Sequence, residues 1–103
     1  LRDTPNMGGS VPDCLATSPD GARGCAVPRA TGLEVDPLAL AAAADGSGQV
    51  AMLDVTDLLC DADGCHAVIG GVIVYFDHGH MTATFSRSLA PRVADAVDGL
   101  LGR

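Results

Sequence analysis

The chain has 103 residues, of which 48% are apolar and 3% aromatic, and thirteen acidic against six basic residues give a formal net charge of −7. This length suits one small domain whose core is built from Ala, Val, Leu and Gly. An acidic chain without a basic stripe is repelled by phosphate backbones, which argues against nucleic acid as a partner.

Residues 1–33 are predicted to form a loop region, because Pro, Gly, Asn and Asp recur there in turn-forming pairs. The sequence starts at Leu1 without Met or an apolar leader, so we expect it to be a piece of a longer protein.

Four cysteines form two close pairs, Cys14 with Cys25 and Cys60 with Cys65. Four cysteines allow three connectivities, and local pairing is favoured because each pair flanks a loop rich in Gly and Asp. Neither pair has the Cys-x-x-Cys spacing of zinc sites, so free thiols are the main alternative to disulfides. Disulfides would indicate an oxidising, extracytoplasmic compartment.

Residues 34–103 are predicted to hold the regular structure. A helix is expected over 34–44, with Asp36 as its cap and Pro37 in its first turn. The apolar run 50–55 is typical of a strand buried on both faces, as in a parallel sheet.

Further elements follow that strand. Residues 56–59 suit one helical turn, and 61–64 a tight turn between the second pair of cysteines. The apolar stretch 67–76 predicts either one bulged strand or two short strands around Gly70-Gly71.

The last element is an amphipathic helix. Ser88 is expected to cap it, with Pro91 in its first turn, and 82–87 is a candidate for an earlier turn of the same helix. The order of elements suits the second half of an open α/β sheet better than a complete domain.

Asp77 and His80 lie three residues apart in the polar loop between the last strand and this helix. A carboxylate that accepts a hydrogen bond from an imidazole fixes its tautomer, so that the ring can take a proton from a serine. A metal site on Asp77, His78 and His80 is disfavoured because no further ligand is evident.

Several segments together resemble the SGNH hydrolases, in particular the SGNH domain fused to membrane acyltransferases of the acyltransferase-3 type. In chain order, they are Asp3-Thr4-Pro5, Val11-Pro12-Asp13-Cys14-Leu15, Cys25, Pro28-Arg29, the segment 54–60 with Cys65, and Tyr75-x-Asp77-x-x-His80-Met81-Thr82 with Leu89-Ala90 behind it.

The resemblance implies that residues 1–103 are the carboxyl-terminal half of a flavodoxin-like, three-layer α/β fold with a short parallel sheet and two local disulfides. It implies that Asp77 orients His80 and that His80 is the general base of a Ser-His-Asp triad. The family's Gly-Asp-Ser nucleophile block and its Gly and Asn oxyanion donors are not in this sequence, so the chain alone is expected to be inactive.

The resemblance further implies an acyltransferase or esterase, without a cofactor, acting on O-acyl groups of cell-envelope polysaccharide or glycan. The implied partners are the N-terminal part of the same domain and a membrane-embedded acyltransferase domain, on the extracytoplasmic side. The alternative is a non-catalytic extracytoplasmic binding module with a hydrolase-like shape.

Overall fold

Short helices and two small hairpins precede one long helix in the computed structural model, which describes residues 1–103. The elements are α1 (Val11–Thr17), a 3₁₀ helix (Gly21–Cys25), α2 (Arg29–Gly32), α3 (Pro37–Ala44), α4 (Thr56–Leu59), β1 (Cys60–Asp61), β2 (Gly64–Cys65), β3 (Val68–Ile69), β4 (Val72–Ile73) and α5 (Ala83–Leu100).

The region predicted as loop is partly helical, so that prediction was wrong for α1, the 3₁₀ helix and α2. Ser10 caps α1, because its Oγ accepts the N–H of Asp13 at 3.3 Å. A disulfide between Cys14 and Cys25 joins α1 to the 3₁₀ helix, and a second joins Cys60 to Cys65. Both predicted pairings are therefore confirmed, and no free cysteine is left.

Helix α3 has the predicted cap and first turn, but it begins at Pro37, three residues after the start of the predicted range 34–44. Asp36 Oδ1 accepts the N–H groups of Leu38 and Ala39 at 3.0 and 3.2 Å, and Pro37 occupies the first turn. All eight residues of the helix are apolar, yet none is buried, and Leu38 is 80% exposed. A helix that is apolar on every side is normally covered by other elements.

The strand predicted over 50–55 does not form in this chain. The segment makes one backbone hydrogen bond to a neighbouring extended segment, from Arg2 N–H to Leu53 O at 2.8 Å, and Val50 is half exposed. A strand buried on both faces needs neighbours on both sides, and no other part of the chain provides them.

Two antiparallel hairpins carry the chain towards the polar loop. Strands β1 and β2 pair Cys60 with Cys65, and β3 and β4 pair Val68 with Ile73. Gly70 and Gly71 both have positive φ (59° and 77°), as required in the two-residue hairpin turn that matches the right-handed twist of the flanking strands. Two short strands around Gly70-Gly71, one of the two arrangements predicted for 67–76, are thus confirmed. The parallel sheet stays a prediction.

Helix α5 begins at Ala83, so the candidate earlier turn over 82–87 is part of the same helix. Thr82 is its cap, with Oγ1 accepting the N–H of Phe85 at 3.2 Å, and Pro91 lies inside the helix. Ser88 was wrongly predicted as the cap, since its hydroxyl donates back to the carbonyl of Phe85 at 2.5 Å. Pro91 costs one helical hydrogen bond, but the helix continues past it: Phe85 and Leu89 are buried before Pro91, and the partly buried Val93 packs against the core after it.

The hydrophobic core lies between the hairpins, α4 and the start of α5. It consists of Met7, Val11, Cys25, Val55, Leu59, Cys60, Cys65, Ala67, Val74, Tyr75, Phe85 and Leu89. The radius of gyration is 15.0 Å, against about 13 Å for a compact domain of this length. None of the helices has the length and apolar character needed to cross a membrane.

Candidate functional site

The polar loop 77–80 leaves the core directly after two fully buried residues, Val74 and Tyr75. An antiparallel bridge between Tyr75 and Met81 closes the loop at its base. The N–H of Phe76 donates to the carbonyl of His80 at 3.0 Å, just above that bridge. The loop is therefore a short excursion from a rigid, buried base, and sites on such loops are well positioned.

Within the loop, Asp77 and His80 point towards each other. Asp77 Oδ2 lies 2.6 Å from Nδ1 of His80. Asp77 Oδ1 accepts two backbone N–H groups, from Gly79 at 2.8 Å and from His80 at 2.7 Å. One oxygen of the carboxylate is thus fixed by its own loop, and the other is left to hold the imidazole.

These hydrogen bonds keep Asp77 ionised. The backbone N–H of Gly79 lowers the pKa of the Asp77 carboxyl most, followed by the N–H of His80, and together with the His80 ring they hold it well below its usual 3.8. An ionised carboxylate can only accept hydrogen bonds. Nδ1 of His80 is consequently the protonated nitrogen of the neutral ring.

That tautomer leaves Nε2 of His80 with a free lone pair. The His80 side chain is 69% exposed, so an approaching hydroxyl can reach Nε2 from solvent. The ring lies parallel to that of Phe76, with the centroids 5.7 Å apart and 18° between the planes. The rings of His78 and His80 meet edge to face, with their centroids 6.1 Å apart and 78° between their planes.

The amino-terminal segment braces this loop. The Thr4 hydroxyl donates to the carbonyl of Gly79, the N–H of Met7 to the carbonyl of His78 at 2.7 Å, and the N–H of Val11 to that of Asp77 at 3.3 Å. No local sequence signal marks these contacts, because they join residues about seventy positions apart. Thr4 and Phe76 are the neighbours of the site that sequence reasoning missed.

A polar cleft of about 170 Å³ opens beside His80. Ten of its twelve lining residues are not hydrophobic, and the two that are hydrophobic are Leu33 and Val35. The carboxylate Glu34 on one wall accepts the amide of Asn6 at 2.9 Å. The remaining lining residues are Arg2, Asp3, Thr4, Pro5, Asp36, His78, Gly79 and His80.

Three further polar side chains, those of His66, Asp54 and Asp57, make local contacts away from this cleft. His66 Nε2 lies 2.8 Å from Asp61 Oδ1 in the first hairpin. Asp54 accepts the N–H of Thr56 at 2.8 Å, and Asp57 pairs with Arg29. No cluster of three or more His, Cys, Asp or Glu side chains is placed to hold a metal ion.

None of the five serines lines the cleft. They are Ser10, Ser18, Ser47, Ser86 and Ser88.

Comparison with known proteins gave one match. No curated protein and no solved structure matched the chain. A family model described as the SGNH domain (fused to AT3 domains) matches residues 1–95, and so covers the Asp77–His80 loop, both disulfides and most of α5. The chain therefore belongs to the family of SGNH domains that are fused to AT3 domains.

Proposed function

We propose that this chain is the carboxyl-terminal part of an SGNH-type serine acyltransferase or esterase domain, and that Asp77 and His80 are the base half of its Ser-His-Asp triad. One observation carries the proposal: a carboxylate whose pKa is lowered by the N–H groups of its own loop holds Nδ1 of an exposed imidazole at 2.6 Å. That arrangement leaves Nε2 of His80 as a basic atom that an incoming nucleophile can use.

The reaction follows from this geometry. A serine hydroxyl attacks the acyl carbonyl while Nε2 of His80 takes its proton, and the Asp77 carboxylate stabilises the imidazolium that forms. Collapse of the tetrahedral intermediate expels the first alcohol, which receives the proton from His80, and leaves an acyl-serine. Water or a sugar hydroxyl then gives up its proton to His80 and attacks the acyl-serine, and His80 returns that proton to the serine oxygen as the acyl group leaves it.

The nucleophile comes from another part of the protein. The chain contains no Gly-Asp-Ser block, and none of its serines shares the cleft with His80. Ser88 is already committed to the carbonyl of Phe85. The serine and the oxyanion donors therefore lie, on this proposal, in the preceding part of the same domain.

The exposed apolar surfaces support such a missing part. Helix α3 and the segment 50–53 are apolar and largely uncovered. Packing against the N-terminal part of the domain would bury both, and would give 50–55 the neighbours of a parallel strand. The completed domain would then have the flavodoxin-like, three-layer arrangement.

The substrate is an O-acyl group on a cell-envelope polysaccharide or glycan. The cleft beside His80 is mostly polar, which suits the hydroxyl groups of a sugar better than an apolar acyl chain. Its carboxylates Asp3, Glu34 and Asp36 supply acceptors for such hydroxyls.

The compartment is extracytoplasmic, beside a membrane-embedded acyltransferase domain of the parent protein. Two disulfides suit an oxidising environment. The description of the family, fused to AT3 domains, supports the membrane-embedded partner.

A kinetic experiment tests the triad. The complete domain, including the segment that precedes this chain, is assayed on a chromogenic acetyl ester, and His80→Ala should lower kcat/KM by at least about 10³-fold. His66→Ala is the matched control, because that imidazole also pairs with an aspartate but lies outside the cleft. Unchanged turnover in His80→Ala would overturn the proposal and favour the binding module.

A further inference from the structure

Phe76 is the aromatic neighbour whose ring lies nearly parallel to that of His80, whereas the rings of His78 and His80 meet at a steep angle. The rings of Phe76 and His80 are stacked, with the centroids 5.7 Å apart and an interplanar angle of 18°. Phe76 follows the buried Tyr75, and because side chains alternate along an extended chain, the one points inward and the other outward. Phe76 is accordingly 59% exposed, and its ring lies outside the core, next to that of His80.

The hydrogen bond to Asp77 does not fix the imidazole by itself. It holds the ring at one atom, Nδ1, and the side chain of His80 is otherwise largely in solvent. Rotation about the bond that carries the ring would swing Nε2 away from the cleft. A flat neighbour lying parallel to the ring opposes that rotation, because aromatic pairs lose their favourable offset contact when they tilt.

The backbone keeps Phe76 in register with its partner. The N–H of Phe76 donates to the carbonyl of His80 at 3.0 Å, so the two residues face each other across the loop.

We propose that Phe76 is a positioning residue for His80: its ring holds the imidazole in the orientation that keeps Nδ1 on Asp77 and Nε2 towards the cleft. This inference rests on the proposed function, in which His80 is the general base. It goes beyond the triad because it assigns a role to an exposed side chain that neither donates nor accepts a proton.

The test uses nuclear magnetic resonance on the 103-residue chain. Stacking beneath Phe76 should displace the carbon-bound ring protons of His80 upfield, and Phe76→Leu should abolish that displacement. Exchange of the Nδ1 proton with solvent should accelerate by roughly 2- to 10-fold, the factor that an aromatic pair contributes. Phe76→Tyr, which preserves the ring, should retain both the upfield displacement and the slower proton exchange of the wild type.

Ile73→Ala is the matched control, because Ile73 is another exposed apolar residue and lies at the end of β4, three positions before Phe76. It should leave the His80 signals unchanged. Unaltered His80 signals in Phe76→Leu, or equal changes in Ile73→Ala, would overturn the positioning role without touching the triad. Conversely, an inactive complete domain would overturn the triad while the ring-stacking result could still stand.

Discussion

Thr4 donates its hydroxyl hydrogen to the carbonyl of Gly79, a residue 75 positions away in the sequence. The same peptide group carries the N–H of His80, which donates to Asp77 Oδ1 at 2.7 Å. The amino-terminal segment thus holds the peptide that fixes the carboxylate, and the carboxylate holds the imidazole of His80. The orientation of the candidate base depends on a residue that has no chemical role of its own.

Replacing Thr4 by Val should destabilise the chain. Val has the same shape but lacks the hydroxyl, so the half-buried carbonyl of Gly79 loses its partner. We expect the free energy of unfolding in urea to fall by about 1 kcal/mol. Thr4→Ser keeps the donor and should behave more like the wild type; equal losses in the two variants would show that the methyl group, not the hydrogen bond, is responsible.

Asp77→Asn should reduce the activity of the complete domain by about 10³- to 10⁴-fold. The asparagine amide would offer a donor to Nδ1, so the neutral ring would have to carry its proton on Nε2, where it cannot accept one from a serine. The measurement is kcat/KM on a chromogenic acetyl ester. Asp95→Asn, on the exposed side of α5, is the control and should be fully active; a comparable loss there would point to charge alone.

Asp77→Asn should also make the free energy of unfolding less dependent on pH in acidic solution. The folded-state pKa of Asp77 is depressed below 3.8 by the N–H groups of Gly79 and His80. Its stabilisation is therefore fully present above pH 3.8 and is lost as the pH falls through the lower folded-state value.

Urea midpoints measured between about pH 5 and pH 2 should fall less steeply for Asp77→Asn than for the wild type. The lowered pKa values of Asp36 and Asp54 are common to both proteins and cancel in the difference. Parallel profiles would mean that the hydrogen bonds to Asp77 Oδ1 do not persist in solution.

The sequence predicts those features of the site that depend on neighbours in the chain. Asp77 and His80 are three residues apart, and a loop that closes on itself brings them together whatever surrounds it. The cap of α3 by Asp36 is local in the same sense. Thr4 was not predicted because its contact with Gly79 joins residues far apart in the sequence. Phe76 was not predicted because an aromatic residue next to an apolar strand is usually assigned to the core.

The fold was harder to predict where it depends on absent neighbours. Residues 50–55 have the composition of a buried strand, but a strand is defined by its partners, and Arg2 is the only residue of another extended segment that bonds to its backbone. Pro91 misled the prediction of α5 in another way. Its fixed φ suits a first turn, yet a helix that packs Phe85 and Leu89 into the core can continue through it.

Tyr75 offers a last test, because it is the only tyrosine in the chain and is completely buried. Burial raises the pKa of its hydroxyl to about 12. Tyrosinate absorbance should therefore appear only near that pH in the folded chain. The folded-state pKa of Tyr75 lies above the usual 10.0, so the unfolded chain loses this proton first. The free energy of unfolding is therefore unaffected by this group below pH 10.0 and falls as the pH rises towards 12.

The hydroxyl of Tyr75 has no hydrogen-bond partner, so its removal should cost little. Tyr75→Phe should have a free energy of unfolding within about 1 kcal/mol of the wild type, or higher, because an unpaired buried polar group is itself destabilising. Tyr75→Ala, which removes the ring from the core, should lose about 3–5 kcal/mol. A large loss in Tyr75→Phe would instead reveal that the hydroxyl is bonded in solution, and an ordered water beneath the Asp77–His80 loop would be the partner to look for.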